Sequence, residues 1–285
     1  MYAITGITGQ VGSAVADALI AQGQQVRAVL RNAEKAEAWR ARGCDIAIAD
    51  VNDVDALTDA FRGVEGVFVL VPPMFDPNPG FPEGNAMLAS LHGALLAARP
   101  QRAVCLSTIG AQAIQPNLLS LLGVMEASFA DLPLPVAFLR AAWFMENALW
   151  DAPAARDENV PRSFLPPLDD AFPMVATQDI GALAAELLQE IWHGQRVVEL
   201  EGPHRVTPNV LAGAFARALG YPVTSEVVHR DIWLDLFTSQ GMQNPTPRAQ
   251  MLDGFNEGWI RFESDSVRKG PTTIDTVIRQ LLARH

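Results

Sequence analysis

The chain has 285 residues, of which 49% are hydrophobic and 19% charged, a composition that suits one large folded domain or a domain with a smaller lobe. Its formal net charge of -11 argues against direct binding to nucleic acid, whose phosphates require clustered Lys and Arg. No apolar run approaches the roughly 20 residues that span a bilayer, so no membrane segment is expected. Two cysteines and five scattered histidines indicate neither a disulfide framework nor a metal centre. We therefore expect a cytoplasmic, metal-free protein.

The first half of the chain alternates short apolar runs with amphipathic stretches, a pattern typical of parallel strands connected by helices. Asn52 or Asp53 is placed to cap a helix that ends at Gly63. A helix across roughly 118–130 precedes the sixth strand. The predicted strands are Tyr2–Thr5, Val26–Leu30, Ile46–Ala49, Val67–Val71, Ala103–Leu106 and Val136–Leu139.

The pattern becomes less regular in the second half. Prolines are frequent between Asp151 and Pro173, which predicts an irregular loop because proline disrupts regular helices. Apolar residues then return at helical spacing, interrupted by one more strand at Arg196–Leu200. The helical stripes are Ile180, Leu183, Leu187 and Ile191; a helix from Thr207 and Pro208 to Gly220; Phe255, Trp259 and Phe262; and Ile274, Val277, Ile278 and Leu281.

Together these elements predict an α/β fold, with a doubly wound parallel-sheet Rossmann domain and a small C-terminal α/β lobe. We expect residues 1–150 to form the Rossmann domain, completed by about 174–200. The remainder, 151–285, is expected to form a small substrate or partner lobe over the carboxyl edge of the sheet. Open α/β sheets bind their ligands at that edge.

Three glycines mark the candidate cofactor site, in the sequence Gly-Ile-Thr-Gly-Gln-Val-Gly from Gly6 to Gly12. This GxxGxxG spacing lies directly between the first strand and the first helix. A dinucleotide site needs a tight turn there, together with close approach of the backbone to a pyrophosphate and a free helix N-terminus. A purely structural turn would use glycine as well, but the strand-turn-helix context favours dinucleotide binding.

The end of the second strand favours NADP(H) over NAD(H). An NAD site usually carries an acidic residue there, whereas this chain has Arg31 and Asn32, with Lys35 one turn further on. A guanidinium binds a 2′-phosphate through charge-assisted hydrogen bonds. The alternative is that Arg31 is a solvated surface residue. Asp50, after the third strand, is placed either beside the adenine or as a cap of the next helix.

Several segments together resemble the NmrA-like, atypical short-chain dehydrogenase/reductases. They are TGITGQVG, VRAVLRNAEKA, ADVNDVDALTDAFRGVEGVFVLVPP, FLR followed by WFMEN, ATQDIG and EGP. The resemblance covers most of the chain, and it implies a Rossmann domain that binds NADP(H) and carries a small C-terminal lobe. It implies cofactor contacts at Gly6, Thr8, Gly9, Gln10, Val11, Gly12, Arg31, Asp50 and the adjoining Val51, with Val71, Pro72, Ser107 and Thr108 on the nicotinamide side.

One departure from the family pattern concerns the chemistry. Typical short-chain dehydrogenases pair a Tyr with a Lys four residues later, and the Lys lowers the pKa of the tyrosine hydroxyl. Here the residues four positions after Tyr2 and Tyr221 are Gly and Ser. A lysine that many relatives carry before the sixth strand is also missing, with Leu122 near that place and Glu126 a turn later. No catalytic residue is therefore assigned, and ordinary alcohol-ketone chemistry is not expected.

An apolar, aromatic acceptor pocket is predicted beside the nicotinamide. Trp143 and Phe144 could equally belong to the core between the lobes, and Asn147 could orient a carbonyl or bond loop backbone. A flat quinone would suit such a pocket, since it accepts a hydride without a dedicated protein acid. The predicted lining is Pro72, Pro73, Met74, Phe75, Trp143, Phe144 and Asn147.

Two functions are consistent with these residues. The first is an NADPH-dependent oxidoreductase that reduces a quinone or a similar small acceptor, which the aromatic pocket favours. The second is a non-catalytic, NADP(H)-responsive regulator of NmrA type that would act on a protein partner, which the missing Tyr-Lys pair favours. Neither the substrate, the partner nor the oligomeric state follows from the sequence.

Overall fold

One parallel sheet organises the chain, and the computed structural model describes residues 1–284. Most of its strands are buried apolar runs, and every pairing between them is parallel. In chain order the strands of the protein are β1 (Tyr2–Ile4), β2 (Val26–Leu30), β3 (Asp45–Ile48), β4 (Gly66–Val69), β5 (Arg102–Thr108), β6 (Val136–Ala141), β7 (Trp143–Phe144), β8 (Arg162–Ser163), β9 (Met174–Val175), β10 (Gln195–Glu201), β11 (Glu226–Val227) and β12 (Arg268–Lys269).

The order of the main sheet is β12-β10-β6-β5-β4-β1-β2-β3. The chain moves outward from β1 through β2 to β3, and then returns to β4 on the other side of β1. The strand order therefore reverses between β1 and β4, which creates a crevice at their carboxyl ends. This topology confirms the predicted doubly wound Rossmann class. The strand β12, which was not predicted, extends the sheet beyond β10.

Helices cover both faces of the sheet and build the lobe. Two predicted caps are present: the Asp53 carboxylate accepts from the backbone N–H of Ala56 at 3.0 Å, and the Thr207 hydroxyl accepts from that of Val210 at 3.0 Å. The helices are α1 (Gln10–Ala21), α2 (Ala36–Arg40), α3 (Val54–Phe61), α4 (Pro82–Ala98), α5 (Ser120–Phe129), α6 (Ala152–Asp157), α7 (Thr177–Gln189), α8 (Pro208–Leu219), α9 (Trp233–Ser239), α10 (Thr246–Asn256) and α11 (Ile274–Arg284), with 3₁₀ helices at Ala33–Lys35, Met145–Trp150 and Arg230–Ile232.

The two faces of the sheet bury separate apolar cores. Helices α1 and α7 cover one face, while α3, α4 and α5 cover the other. Helices α1 and α7 approach each other closely, since a Cβ atom on Gly181 would lie 2.5 Å from the backbone of Ala14. The segment from α7 to β10 is therefore an integral part of the Rossmann core.

The C-terminal lobe has its own two apolar clusters. One contains the 3₁₀ helix Met145–Trp150 together with α6, α8 and α11, and the other contains α9 and α10. Two short parallel pairs, β7 with β9 and β8 with β11, supply its β structure. Among residues 1–284, no helix combines the length and apolarity needed to cross a membrane.

Two local predictions were wrong. The proline-rich segment after Asp151 contains the short helix α6, because Pro153 lies in the first turn, where a helix needs no backbone N–H. The expected helical stripe through Phe255, Trp259 and Phe262 does not exist. Helix α10 ends at Asn256, Gly258 takes a positive φ of 78°, and the next residues run without helix to β12.

Asp151 lies between the 3₁₀ helix and α6, and its own backbone dihedral angles are helical. Burial beside the apolar lobe core raises the pKa of this carboxyl to about 7. The native state therefore holds the Asp151 proton more tightly than the unfolded chain. As the pH rises from about 4 to about 7, this residue lowers the free energy of unfolding.

We expect Asp151→Asn to stabilise the protein at pH 8 by on the order of 2 kcal/mol and to have a much smaller effect at pH 4. At pH 8 the variant removes a buried ionised carboxylate, whereas at pH 4 the native carboxyl is neutral and that of the unfolded chain is only about half ionised. Urea denaturation at both pH values measures the difference. Asp157→Asn, which changes an exposed acid of α6, is the control. Equal effects of Asp151→Asn at the two pH values would contradict the expectation.

Candidate cofactor and acceptor site

The glycine turn after β1 brings the backbone into close contact with α1. Gly6 has a φ of 61°, and its carbonyl accepts from the Gly9 N–H at 2.9 Å. A Cβ atom on Gly12 would lie only 2.2 Å from the Gly6 carbonyl oxygen. No side chain fits at this position, which explains why the third glycine of the motif is needed for the packing of α1.

The N-terminus of α1 has the properties of an anion site. Gly9, at the cap position, offers no side-chain acceptor, and the first turn contains no acidic residue. The first backbone N–H groups of a helix have no partner inside the helix, and they carry the positive end of its dipole. A dinucleotide pyrophosphate therefore fits the backbone cradle from Gly6 to Gly12.

Thr5 is a residue of the site that the sequence analysis missed. Its hydroxyl donates to the Phe68 carbonyl at 3.1 Å and accepts from the Leu70 N–H at 2.8 Å. These bonds join the end of β1 to the end of β4 across the crevice. Leu70 lies against the glycine turn, since a Cβ atom on Gly6 would meet its side chain at 3.0 Å, and Val71 and Pro72 follow it in the chain. A buried threonine directly after a strand was the available signal.

Arg31 and Lys35 follow β2 and are both exposed. Within residues 1–284, neither forms an ion pair. By contrast, Arg27 of the same strand pairs with Asp45 at 2.7 Å. The Asn32 side chain accepts from the Glu34 N–H and so begins the following 3₁₀ helix. The geometry leaves both cationic side chains available to an anion at the end of β2.

Asp50 and Val51 follow β3. One Asp50 carboxylate oxygen accepts from the Asn52 N–H at 2.9 Å and stabilises the turn. Because Asp53 caps α3, Asp50 is not needed for that purpose. Val51 is half-buried against the core beneath α3 and α4.

At the end of β5, the predicted nicotinamide-side residues are buried and already bonded within the protein. Ser107 is 3% exposed, and its hydroxyl donates to the Glu126 carboxylate on α5. The neighbouring Thr108 is 9% exposed. Among residues 1–284, the Ser107 hydroxyl hydrogen is thus committed to Glu126 and is not available to an acceptor.

Arg140 of β6 is the centre of a buried charge network that the sequence analysis did not identify. Its guanidinium donates to both carboxylate oxygens of Glu126, from Nε at 2.9 Å and from Nη2 at 2.6 Å. It also donates to Gln112 at 3.2 Å and to Glu263. Burial lowers the pKa of this guanidinium, but hydrogen bonds to Glu126 and Glu263 outweigh that effect, so its pKa is raised. Arg140 therefore remains charged.

The same network fixes the segment between α10 and β12. Glu199 of β10, which lies 3.6 Å from Arg140, accepts from the backbone N–H groups of Glu263 and Ser264, each at 2.9 Å. Gln112 donates to the Arg261 carbonyl at 2.7 Å. These contacts hold the segment 261–264 across the carboxyl ends of β5, β6 and β10. The arginine inside the otherwise apolar strand β6 was the signal in the sequence.

The predicted pocket residues separate into two groups. Trp143 is half-buried and packs edge-on against Phe255, with ring centroids 5.2 Å apart, and against Phe172 at 6.1 Å. Phe144 is half-buried against the Rossmann core. Phe75 is 57% exposed and packs instead against Trp150, at 5.8 Å. Trp143 therefore has a packing role between the lobe clusters, whereas Phe75 presents an open ring.

The 3₁₀ helix Met145–Trp150 sends its side chains in different directions. Met145 and Ala148 are buried in the lobe core. Glu146 accepts from the Thr177 N–H at 2.9 Å and from the Thr177 hydroxyl at 2.8 Å, which caps α7. Burial raises the pKa of Glu146, and the bonds from Thr177 partly offset this rise. Asn147 is half-buried, and among residues 1–284 no protein group hydrogen-bonds its side chain.

Neither tyrosine is placed to act in this site. Tyr2 is buried at the start of β1, at the opposite edge of the sheet, and burial raises its pKa. The Tyr221 hydroxyl donates to the Arg156 carbonyl at 3.0 Å in the lobe. Lys269 pairs with Glu201. The Tyr-Lys pair is thus absent in space as well as in the sequence.

Two open grooves lie outside the predicted site. One, of about 750 Å³, is in the lobe and is lined by residues such as Leu168, His229 and Trp233. The other, of about 610 Å³, lies beside α7 and is lined by residues such as Leu183 and Lys269. Neither groove includes a predicted cofactor or acceptor residue.

Comparisons with known proteins point to the same cofactor chemistry. Residues 6–131 match the model of the family described as NAD(P)H-binding. The chain is 30% identical over 283 residues to quinone oxidoreductase 2 of Escherichia coli (strain K12), covering 96% of this chain and 95% of that protein. It is 26% identical over 258 residues to the NAD(P)H azoreductase of Xenophilus azovorans, covering 90% and 85%.

Solved structures agree with the fold. The crystal structure of the NADPH-dependent quinone oxidoreductase QOR2 from Escherichia coli complexed with NADPH superposes with a TM-score of 0.82 at 26% identity, covering 99% of this chain and 100% of that one. The triphenylmethane reductase of Citrobacter sp., complexed with NADP(H), superposes with a TM-score of 0.80 at 22% identity, covering 98% and 99%. The second likeness concerns the fold alone.

We expect Gly12→Ala to weaken NADPH binding by at least about tenfold and to destabilise the protein by about 1–3 kcal/mol. The added methyl group would collide with the Gly6 carbonyl and displace the first turn of α1. Calorimetric titration and urea denaturation measure the two effects.

Gly213→Ala is the matched control for this change. A Cβ atom at residue 213, in the middle of α8, would meet only the flexible end of Arg217, at 3.2 Å. This variant should bind NADPH normally and be as stable as the wild type or slightly more stable, because alanine favours helix. A folded Gly12→Ala variant with wild-type NADPH affinity would exclude Gly12 from the cofactor site.

Proposed function

The chain belongs to the NAD(P)H-binding family of NmrA-like, atypical short-chain dehydrogenase/reductases, and we propose that it is an oxidoreductase that uses NADPH to reduce a quinone or a similar small conjugated acceptor. This membership confirms the family resemblance and the predicted NADP(H) cofactor. The 30% identity with a quinone oxidoreductase, along nearly the whole of both chains, is the observation that carries the proposed activity.

We assign the cofactor contacts to four parts of the chain. The backbone cradle from Gly6 to Gly12 holds the pyrophosphate. The first N–H groups of α1 have no partner within the helix, and the three glycines have no side chain that would block the approach of the phosphates. Arg31 holds the 2′-phosphate, assisted by Lys35, since both are exposed without ion pairs within residues 1–284. Asp50 and Val51 lie at the adenine side. Thr8, Gln10 and Val11 belong to the cradle, and Val71, Pro72, Ser107 and Thr108 lie toward the nicotinamide.

The nicotinamide of bound NADPH supplies a hydride, and a proton from water completes the reduction of the acceptor to the hydroquinone. The protein contributes binding, orientation and exclusion of water. Asn147 has an amide free to donate to an acceptor carbonyl, and Pro73, Phe75, Trp143 and Phe144 supply apolar surface. The proposed reaction consumes an intracellular reductant, so we propose the cytoplasm as its compartment.

NADPH consumption, followed by absorbance with a panel of quinones, tests this activity. We expect turnover with at least one quinone and no turnover without an acceptor. Asn147→Ala should reduce turnover about tenfold while NADPH affinity stays unchanged, because a carbonyl would lose its orienting donor. Tight NADPH binding without turnover across the panel would reject the enzymatic proposal and favour an NADP(H)-responsive regulator.

The 2′-phosphate assignment predicts a change in cofactor preference. Removal of a charge-assisted contact costs about 1.5–3 kcal/mol, so Arg31→Ala should weaken NADPH roughly tenfold to hundredfold. NADH, which lacks the phosphate, should bind almost as before. Arg31→Glu should weaken NADPH further, because its carboxylate repels the phosphate. Lys35 retains part of the attraction in both variants.

Calorimetric titration of both cofactors gives the answer. Arg279→Ala removes an exposed arginine of α11 that has no proposed role, and it should change neither affinity. Equal losses of NADPH and NADH in the Arg31 variants, or a wild type that prefers NADH, would show that Arg31 does not bind the 2′-phosphate.

A further inference from the structure

Two aromatic side chains from distant parts of the chain meet on the surface. Phe75 follows β4, and Trp150 ends the 3₁₀ helix; their rings pack edge to face at 86°, with centroids 5.8 Å apart. Yet 57% of Phe75 and 61% of Trp150 remain exposed. An edge-to-face pair uses the edge of one ring, so a large area of apolar ring surface stays in contact with water.

Trp150 lies three residues after Asn147, so their side chains form one row along the 3₁₀ helix. Residues three positions apart eclipse each other in a 3₁₀ helix, and the two side chains are separated by about 6 Å along its axis. The row of Met145 and Ala148 is buried in the lobe core, so the row of Asn147 and Trp150 points away from that core. An unpartnered amide and an open indole therefore lie side by side.

The loop that carries Phe75 is attached to the lobe. The Asp76 carboxylate accepts from the backbone N–H of Gln243 at 2.8 Å and from that of Asn244 at 2.7 Å. These residues connect α9 to α10. These two bonds join the loop after β4 to the lobe at Asp76, the residue next to Phe75. They therefore fix the position of the Phe75 ring relative to Trp150.

We propose that Phe75 and Trp150 form an aromatic surface that selects acceptors with fused rings, and this inference rests on the proposed reduction of a quinone. A carbonyl of the acceptor accepts from the Asn147 amide, and the remainder of the planar molecule lies against the two open rings. Because the indole is one helical turn from the amide, a single-ring quinone held by Asn147 does not overlap it well. A second fused ring extends the molecule onto this surface.

The chemistry of the row of Asn147 and Trp150 favours a fused-ring acceptor over a second copy of the chain as the molecule that covers it. A planar conjugated carbonyl compound needs one donor and flat apolar surface, which Asn147 and the aromatic pair supply together. Phe75 also follows closely after Val71 and Pro72, which we assign to the nicotinamide side of the crevice. Trp150 is therefore a specificity-determining residue in addition to the pocket residues deduced from the sequence.

Steady-state kinetics with 1,4-benzoquinone and 1,4-naphthoquinone test the proposal. We expect Trp150→Ala and Phe75→Ala to raise KM for naphthoquinone about three- to tenfold, the effect of one lost aromatic contact. In Trp150→Ala the KM for benzoquinone should change less than twofold, and kcat for either quinone should change little. Phe75→Ala, which also removes surface of the acceptor pocket, should raise the KM for both quinones. Trp150→Phe should retain most of the preference for naphthoquinone. All variants should bind NADPH with wild-type affinity.

Ile191→Ala is the control, because Ile191 is 84% exposed and lies before the start of β10, at the other edge of the sheet. It should change neither KM. Equal effects of Trp150→Ala on the two quinones would overturn the selectivity, while the proposed function would stand. A wild type dimer that Trp150→Ala dissociates, with unchanged quinone kinetics, would also overturn it; light scattering shows the mass.

A wild type that reduces no quinone of the panel would instead disprove the proposed function. The aromatic surface is then tested by calorimetric titration of naphthoquinone into the NADP⁺-loaded protein. Binding that weakens about three- to tenfold in Trp150→Ala and Phe75→Ala, but not in Ile191→Ala, supports the surface. Equal binding by all variants rejects it.

Discussion

The close contact between α1 and the turn after β1 is the constraint on which the cofactor end of the molecule depends. The Gly6 carbonyl occupies the space that a side chain at residue 12 would need, so α1 begins directly against the backbone of the turn. The opposite side of the same helix is equally restricted, because Ala14 meets Gly181 of α7. The position of the N–H groups at the start of α1 and the packing of α7 are therefore set by the same small residues.

A buried charge network has the corresponding role at the other end of the crevice. Arg140 is surrounded by Glu126, Glu199 and Glu263. Removing these charges from water costs free energy, and apolar side chains of similar volume would avoid that cost. What the charges provide is a defined geometry. They join α5, β6, β10 and the segment before β12, and they fix the direction of the Ser107 hydroxyl. Reaction at the nicotinamide end would thus take place beside groups that are already ordered.

The short 3₁₀ helix after β7 divides its side chains among three tasks. Met145 and Ala148 pack into the lobe, Glu146 caps α7 of the Rossmann core, and Asn147 and Trp150 form the row to which we assign the acceptor. Because three residues complete each turn, these directions stay separate along the helix. One element therefore connects the lobe to the sheet and also presents a polar donor beside an aromatic surface. The proposed reduction of a quinone without a Tyr-Lys pair would depend on such positioning.

The parts of this protein that the sequence alone determined are those governed by neighbouring residues. The glycine turn, the buried strands, the Asp53 and Thr207 caps and the exposed cations after β2 all follow from patterns within a few positions, since turn geometry and local hydrogen bonds decide them. Tertiary structure decided the rest. Phe75 meets Trp150, Arg140 meets Glu126, Glu199 and Glu263, and Asp76 meets Gln243 only because the sheet order brings distant segments together. Even the false helical stripe at Trp259 and Phe262 has this cause, because long-range bonds to Gln112, Arg140 and Glu199 hold residues 261–264 across the strand ends. Periodicity records which residues are apolar, but it contains no information about the partner that a buried charge or an exposed ring will meet.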